Sequence, residues 1–184
     1  MVEHSSKPHM QQPIVLIGLM GAGKTTVGRR LAKALNIPFA DSDHEIEKAA
    51  SLSVSEIFEV FGEAEFRRGE RRVIQRLLSD TVPKVIALGG GAFLDKDTRA
   101  IVKEKALSIW LDVDVALLVK RTSRRKTRPL LLKGDPKNIL MTLAEERYPI
   151  YQKADIRVQS SKGAHGKVVE EILAAMAQHL QDQA

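Results

Sequence analysis

The chain has 184 residues, 43% of them hydrophobic and 28% charged, with no cysteine; it can bury its own core, which excludes a disordered chain, a disulfide-stapled scaffold, thiolate catalysis and cysteine metal sites. A net charge of +6 and a pI near 9.6 point to anionic partners. With aromatic residues at only 4% there is little to stack bases on, so small phosphorylated or carboxylated ligands are expected rather than nucleic acid.

Residues 1–12 (MVEHSSKPHMQQ) are polar and lack the apolar core of a signal peptide. They read as a disordered tail before a single domain over 13–184. No run approaches the roughly 20 apolar residues of a membrane span, and a cytoplasmic protein is expected.

Residues 13–18 (PIVLIG) read as a buried strand, and 24–35 as a helix with Val27, Leu31 and Leu35 on one side. Between them, Gly18-Leu19-Met20-Gly21-Ala22-Gly23-Lys24-Thr25 fits G-x-x-x-x-G-K-[ST]. Successive N–H groups of such a loop wrap phosphates, glycines let the backbone come close, and the next helix adds its positive N-terminal end. Gly21, Ala22, Gly23, Lys24, Thr25 and Thr26 are the expected ATP-binding set, with Lys24 on the β/γ-phosphates and the Thr25 hydroxyl on Mg2+. A chance glycine-rich turn would not need a strand before it and a helix after it.

A short run at 37–40 leads to Asp41-Ser42-Asp43. An extended backbone there points both carboxylates to one side, one to order Mg2+ waters and the other to take a proton from an attacking hydroxyl. The competing reading is a helix N-cap. Helical patterning covers 43–50, 54–61 and 63–78. On the last of these Arg67 and Glu70 stand i, i+3, either as a braced clamp for a substrate carboxylate or as a solvated surface pair; Arg68, Arg71 and Arg72 are read as surface.

A buried strand at 84–88 runs into Gly89-Gly90-Gly91, a backbone that a ligand could approach closely or merely a flexible turn. A helix at 96–103, a strand at 107–111 and a helix at 115–121 follow. Six of the nine residues 120–128 (KRTSRRKTR) are basic, and the segment opens a loop over 123–136. It is read as a lid over ATP, the alternatives being a solvated basic run or a nucleic-acid patch. A helix at 137–151, a strand at 154–158 and a helix at 166–181 complete the chain, the last with Val169, Ile172, Leu173, Met176 and Leu180 on its buried side. The alternation predicts a parallel sheet covered on both faces, with ligands at the carboxyl ends of its strands. The five histidines lack metal-ligand spacing.

Taken in order, GLMGAGKTTVGRRLA, DSDHEIE, GEAEFRRGE, LGGGA, RTSRRKTRPLL and ERYPIY resemble the shikimate kinase family, from about residue 14 to 173. The resemblance implies a three-layer P-loop kinase fold with a five-stranded parallel sheet, laid out as in nucleoside-monophosphate kinases. It implies an acceptor-binding segment at about 42–72 and a mobile lid at about 122–136. It matches Asp43 to the acceptor-binding and catalytic aspartate, and Asp41 to its companion near Mg2+. Arg67 and Arg147 match the carboxylate-binding arginines, and Glu70 the acid that positions Arg67. Gly90 and Gly91 match the backbone of the acceptor pocket, Arg128 the phosphate-contacting arginine of the lid, and Arg121 an arginine beside adenine. The implied reaction is phosphorylation of the 3-hydroxyl of shikimate by ATP with Mg2+, by a monomer without nucleic-acid or membrane partners. Ser51 stands where the family often has glycine, and the second adenine contact, near 160–165, stays unassigned. The rival readings are a gluconate or nucleoside-monophosphate kinase, and a P-loop nucleotide or RNA-binding regulator.

Overall fold

Ile14, Val15, Leu16 and Ile17 are all buried, and a strand buried on both faces belongs in the middle of a parallel sheet. The computed structural model, which describes residues 12–122, 134–160 and 165–183, places this strand, β1 (Ile14–Ile17), between β3 (Val85–Ala87) and β4 (Leu107–Val113). Outside them lie β2 (Phe39–Asp41) and β5 (Ile156–Ser160), all parallel, in the order β2-β3-β1-β4-β5. β5 alternates buried and exposed residues, as an edge strand should. The order reverses about β1, so the crevice at the carboxyl ends of β1 and β3 is the switch point where ligands bind in such sheets.

The helices that cover the sheet are α1 (Lys24–Leu35), α2 (Ser42–Ala50), α3 (Val54–Leu78), α4 (Lys96–Lys105), α5 (Val115–Thr122), α6 (Pro136–Tyr151) and α7 (His165–Asp182). Their starts follow local chemistry. Ser53 and Glu56 form a capping box at α3, Asp95 caps α4 through Thr98 N–H, and Asp135 precedes Pro136 at the first position of α6. α3 contains the break read between 61 and 63: Gly62 is non-helical (φ 79°, ψ 172°). Phe58 and Phe66 pack across that break with ring centroids 4.5 Å apart, a contact worth about 0.5–1.5 kcal/mol beyond the area it buries.

Three expectations change. The chain is helical from Ser42, so Asp43 lies in the first turn of α2 and not on extended backbone. Leu180 is 43% exposed, whereas Val168 is buried beside Val169, Ile172 and Met176; after Met176 no described residue of α7 is buried, so its last turn runs beyond the surface that covers the rest. Arg71 is half-buried and reaches Asp95 (3.4 Å) and Asp97 (3.1 Å), while Arg68 and Arg72 are exposed. The expected tail at 1–11, the lid at 123–133 with Arg128, and residues 161–164 lie outside the described residues. Ser51 ends α2 with φ 54° and ψ 30°, the left-handed geometry that glycine adopts without strain.

The start of α2 is tied to the turn after β3 by Ser42, which is fully buried and accepts a hydrogen bond from Gly89 N–H at 2.9 Å. Ser42→Ala leaves that N–H without its partner and should cost about 1–3 kcal/mol. Urea denaturation should show this as a lower midpoint at unchanged slope; an unchanged midpoint would mean that the contact contributes nothing to stability.

Candidate active site

The loop from Gly18 to Thr25 needs its glycines for two different reasons. Gly21 and Gly23 have φ of 82° and 93°, where a side chain is strained, and a Cβ at Gly18 would stand 2.8 Å from the carbonyl oxygen of Leu111. Gly23 is also the N-cap of α1 and has no side-chain cap, so the N–H groups of the first turn are presented to the loop. Lys24 Nζ donates to the carbonyls of Gly18 (2.8 Å) and Leu19 (3.1 Å), folding back over the loop. Thr25 and Thr26 are exposed beside it. Arg121, near the end of α5, donates to Gly21 O at 3.4 Å.

Asp41 serves two elements at once. Its Oδ1 accepts from the N–H groups of Asp43 (3.1 Å) and His44 (3.5 Å), which is the helix cap, and its Oδ2 accepts from Thr25 Oγ1 at 2.7 Å. The cap therefore coexists with a hydroxyl–carboxylate pair at the mouth of the loop. Such hard oxygen donors fit a cation like Mg2+. Among the described residues no group of three or more His, Cys, Asp or Glu could hold a metal, so phosphates and water would supply most of its ligands.

Asp43 faces the turn after β3. A Cβ at Gly89 would stand 2.5 Å from Asp43 Oδ1 and 3.2 Å from Glu70 Oε1, so two carboxylates converge where glycine leaves room. Burial, and next the charge of Asp41, push the Asp43 carboxyl above its usual range, against the pull of Lys24 and Arg67. Burial also pushes Glu70 upward, although Arg67 opposes it.

Arg67 Nη1 donates to Glu70 Oε2 at 2.7 Å, and Glu70 is only 2% exposed. That burial sets the pair apart from a solvated surface contact, even though Arg67 also lies 3.6 Å from the exposed Glu63. A Cβ at Gly91 would meet Arg67 Nη2 at 2.6 Å, and one at Gly90 would meet Arg147 Nη1 at 3.1 Å. Two guanidinium groups, one from α3 and one from α6, thus converge on a single two-glycine stretch. Arg147 Nε is buried and finds no hydrogen-bond partner among the described residues. The sequence analysis missed Ser42 and Tyr151, which touch this turn. For Tyr151 a signal existed, since it lies four residues after Arg147 on the same helix.

The shikimate kinase family model matches residues 20–177. A shikimate kinase of Caulobacter vibrioides is 53% identical over 171 residues, covering 93% of this chain and 85% of the relative. One from Rhodopseudomonas palustris is 51% identical over 169 residues, covering 92% and 83%. Among solved structures, the shikimate kinase from Acinetobacter baumannii in complex with shikimate superposes with a TM-score of 0.87 at 38% identity, over 92% of this chain and 94% of that one. A gluconokinase from Sinorhizobium meliloti (TM-score 0.62, 19% identity, 94% and 95% covered) shares the fold.

The half-buried charge of Asp43 carries a stability cost that can be measured. Its raised carboxyl means that the folded state holds the proton more tightly than the unfolded state does, so this group's contribution falls as pH rises from the usual aspartate range through the raised value. Asp43→Asn removes the charge and should raise Tm at pH 7.5. The gain should vanish at acid pH, where the native carboxyl is itself protonated. A lower Tm for the variant at pH 7.5 would contradict this.

Proposed function

The chain belongs to the shikimate kinase family, and on that premise we propose that it transfers the γ-phosphate of ATP to the 3-hydroxyl of shikimate, giving shikimate 3-phosphate and ADP on the way to chorismate and the aromatic amino acids. The observation that carries the site assignment is the convergence of Arg67 and Arg147 on Gly90–Gly91, with the half-buried Asp43 beside Gly89 in the same turn. A carboxylate needs such fixed cations to be read in bidentate fashion. The 3-hydroxyl, two ring carbons from the one that bears the carboxylate, then falls to Asp43.

Asp43 accepts the hydrogen bond of that hydroxyl and takes its proton as the new oxygen–phosphorus bond forms and the β,γ-bridging bond breaks. A raised carboxyl is the stronger base for this step. Lys24 leaves the carbonyls of Gly18 and Leu19 for the phosphates, whose negative charge is the stronger acceptor. Bound Mg2+ supplies charge neutralisation at the phosphates, and Thr25 with Asp41 would hold it. The N–H groups from Gly21 to Thr26 hold the phosphate chain and Arg121 lies toward the nucleotide, while Arg128, outside the described residues, is the expected further phosphate contact. Glu70 braces Arg67. Most of the acceleration comes from positioning and electrostatics, since no covalent intermediate is needed.

We read the protein as a cytoplasmic monomer working on small molecules, with no nucleic-acid or membrane partner. In support, no helix among the described residues is long and apolar enough to cross a membrane. The exposed large apolar residues among them, Val60, Phe61, Val82, Met141 and Leu180, belong to several different segments.

Coupled ADP release with MgATP tests the reading, with shikimate compared against gluconate, AMP and no acceptor. Release should require shikimate. Arg67→Ala should lower kcat/KM for shikimate by about 30- to 5,000-fold, the equivalent of about 2–5 kcal/mol for a truncated charged contact. Acceptor-independent release, or none from folded protein that binds ATP, would overturn the function; an unchanged kcat/KM in the variant would overturn the clamp.

A further inference from the structure

Arg67 has Glu70 to hold it, which leaves the question of what holds Arg147. Tyr151 is fully buried one helical turn further along α6, and its hydroxyl donates to the carbonyl oxygen of Gly90. The Arg147 guanidinium stands at the same turn, where a Cβ on Gly90 would meet its Nη1 at 3.1 Å, and its charge acts on the Tyr151 phenol. A phenol has one proton to donate and lone pairs to accept with, so the Tyr151 hydroxyl, its proton given to Gly90, keeps lone pairs for a guanidinium one helical turn away. Burial raises the Tyr151 phenol, which keeps it a protonated donor at neutral pH.

We propose that Tyr151 is a positioning residue of the acceptor site, holding the Arg147 guanidinium and the Gly90–Gly91 peptide in one fixed relation. It rests on the reading of Arg147 as a carboxylate-binding arginine. Two consequences follow from the geometry. A neutral hydroxyl orients the guanidinium without neutralising it, so its charge stays available to a substrate carboxylate, where an acid partner would compete. Fixing the Gly90 carbonyl also fixes the Gly91 N–H, which points the opposite way across a trans peptide. The ring itself is boxed independently of its hydroxyl: Trp110 lies 6.0 Å from Tyr151 and 5.1 Å from Tyr148, whose hydroxyl donates to Val113 O at 3.2 Å. Removing the Tyr151 hydroxyl alone therefore leaves the packing in place.

Tyr151→Phe and Arg147→Ala, assayed with shikimate and with its carboxamide analogue, test this. Tyr151→Phe should raise KM for shikimate about tenfold, with kcat and the KM for ATP changed less than about threefold, because the hydroxyl that holds the turn beside a charged group is lost. With the carboxamide, which offers no charge to Arg147, the penalty should shrink to about threefold or less. Equal penalties for the two acceptors, or a loss confined to kcat, would reduce Tyr151 to packing. A raised KM in Arg147→Ala with an unchanged KM in Tyr151→Phe would overturn the role of Tyr151 while leaving the carboxylate reading intact. An unchanged KM in Arg147→Ala would overturn the carboxylate reading of that arginine and the proposal with it.

Discussion

The backbone after β3 has no side chains at Gly89, Gly90 and Gly91, and that absence is the constraint on which the site is built. At each position a Cβ would lie within 3.1 Å of a functional atom: Asp43 Oδ1 at Gly89, Arg147 Nη1 at Gly90, Arg67 Nη2 at Gly91. Charged groups from α2, α3 and α6 can meet there only because the turn takes no space. The turn is also held from both sides, by Ser42 on the Gly89 N–H and by Tyr151 on the Gly90 carbonyl. A flexible glycine run becomes a rigid platform when its peptides are hydrogen-bonded to buried side chains.

The electrostatics of the platform are arranged around burial. Asp43 and Glu70 are both pushed upward mainly by loss of water, and both are drawn back by Arg67. A carboxylate withdrawn from water is costly when unpaired, but the charges of Lys24 and Arg67 both favour the ionised form of Asp43. Burial and the two nearby cations thus act in opposite directions on the Asp43 charge.

What could be read in advance follows how local each feature is. The phosphate loop is one contiguous segment whose chemistry lies in its own backbone, and α1 begins and ends at the residues predicted. The break at Gly62 and the capping box at Ser53 were equally local. Arg67 with Glu70 was visible as an i, i+3 pair, but whether it was clamp or surface depended on how deeply Glu70 is buried, which helical spacing does not carry. Leu180 kept the apolar spacing of α7, yet spacing cannot tell where the covering surface stops.

Sequence alone determined the alternation of strands and helices, the phosphate loop and the family to which its spaced motifs belong, because each rests on neighbours along the chain or on motifs in fixed order. Only the tertiary structure decided that Asp41 both caps α2 and binds Thr25, that Asp43 enters from a helical turn, and that Tyr151 reaches Gly90 across 61 residues. The Asp41–Thr25 and Tyr151–Gly90 contacts join segments 16 and 61 residues apart, brought side by side by the parallel order of the sheet. A side chain's partner across such a gap is set by packing, which no local pattern of residues encodes.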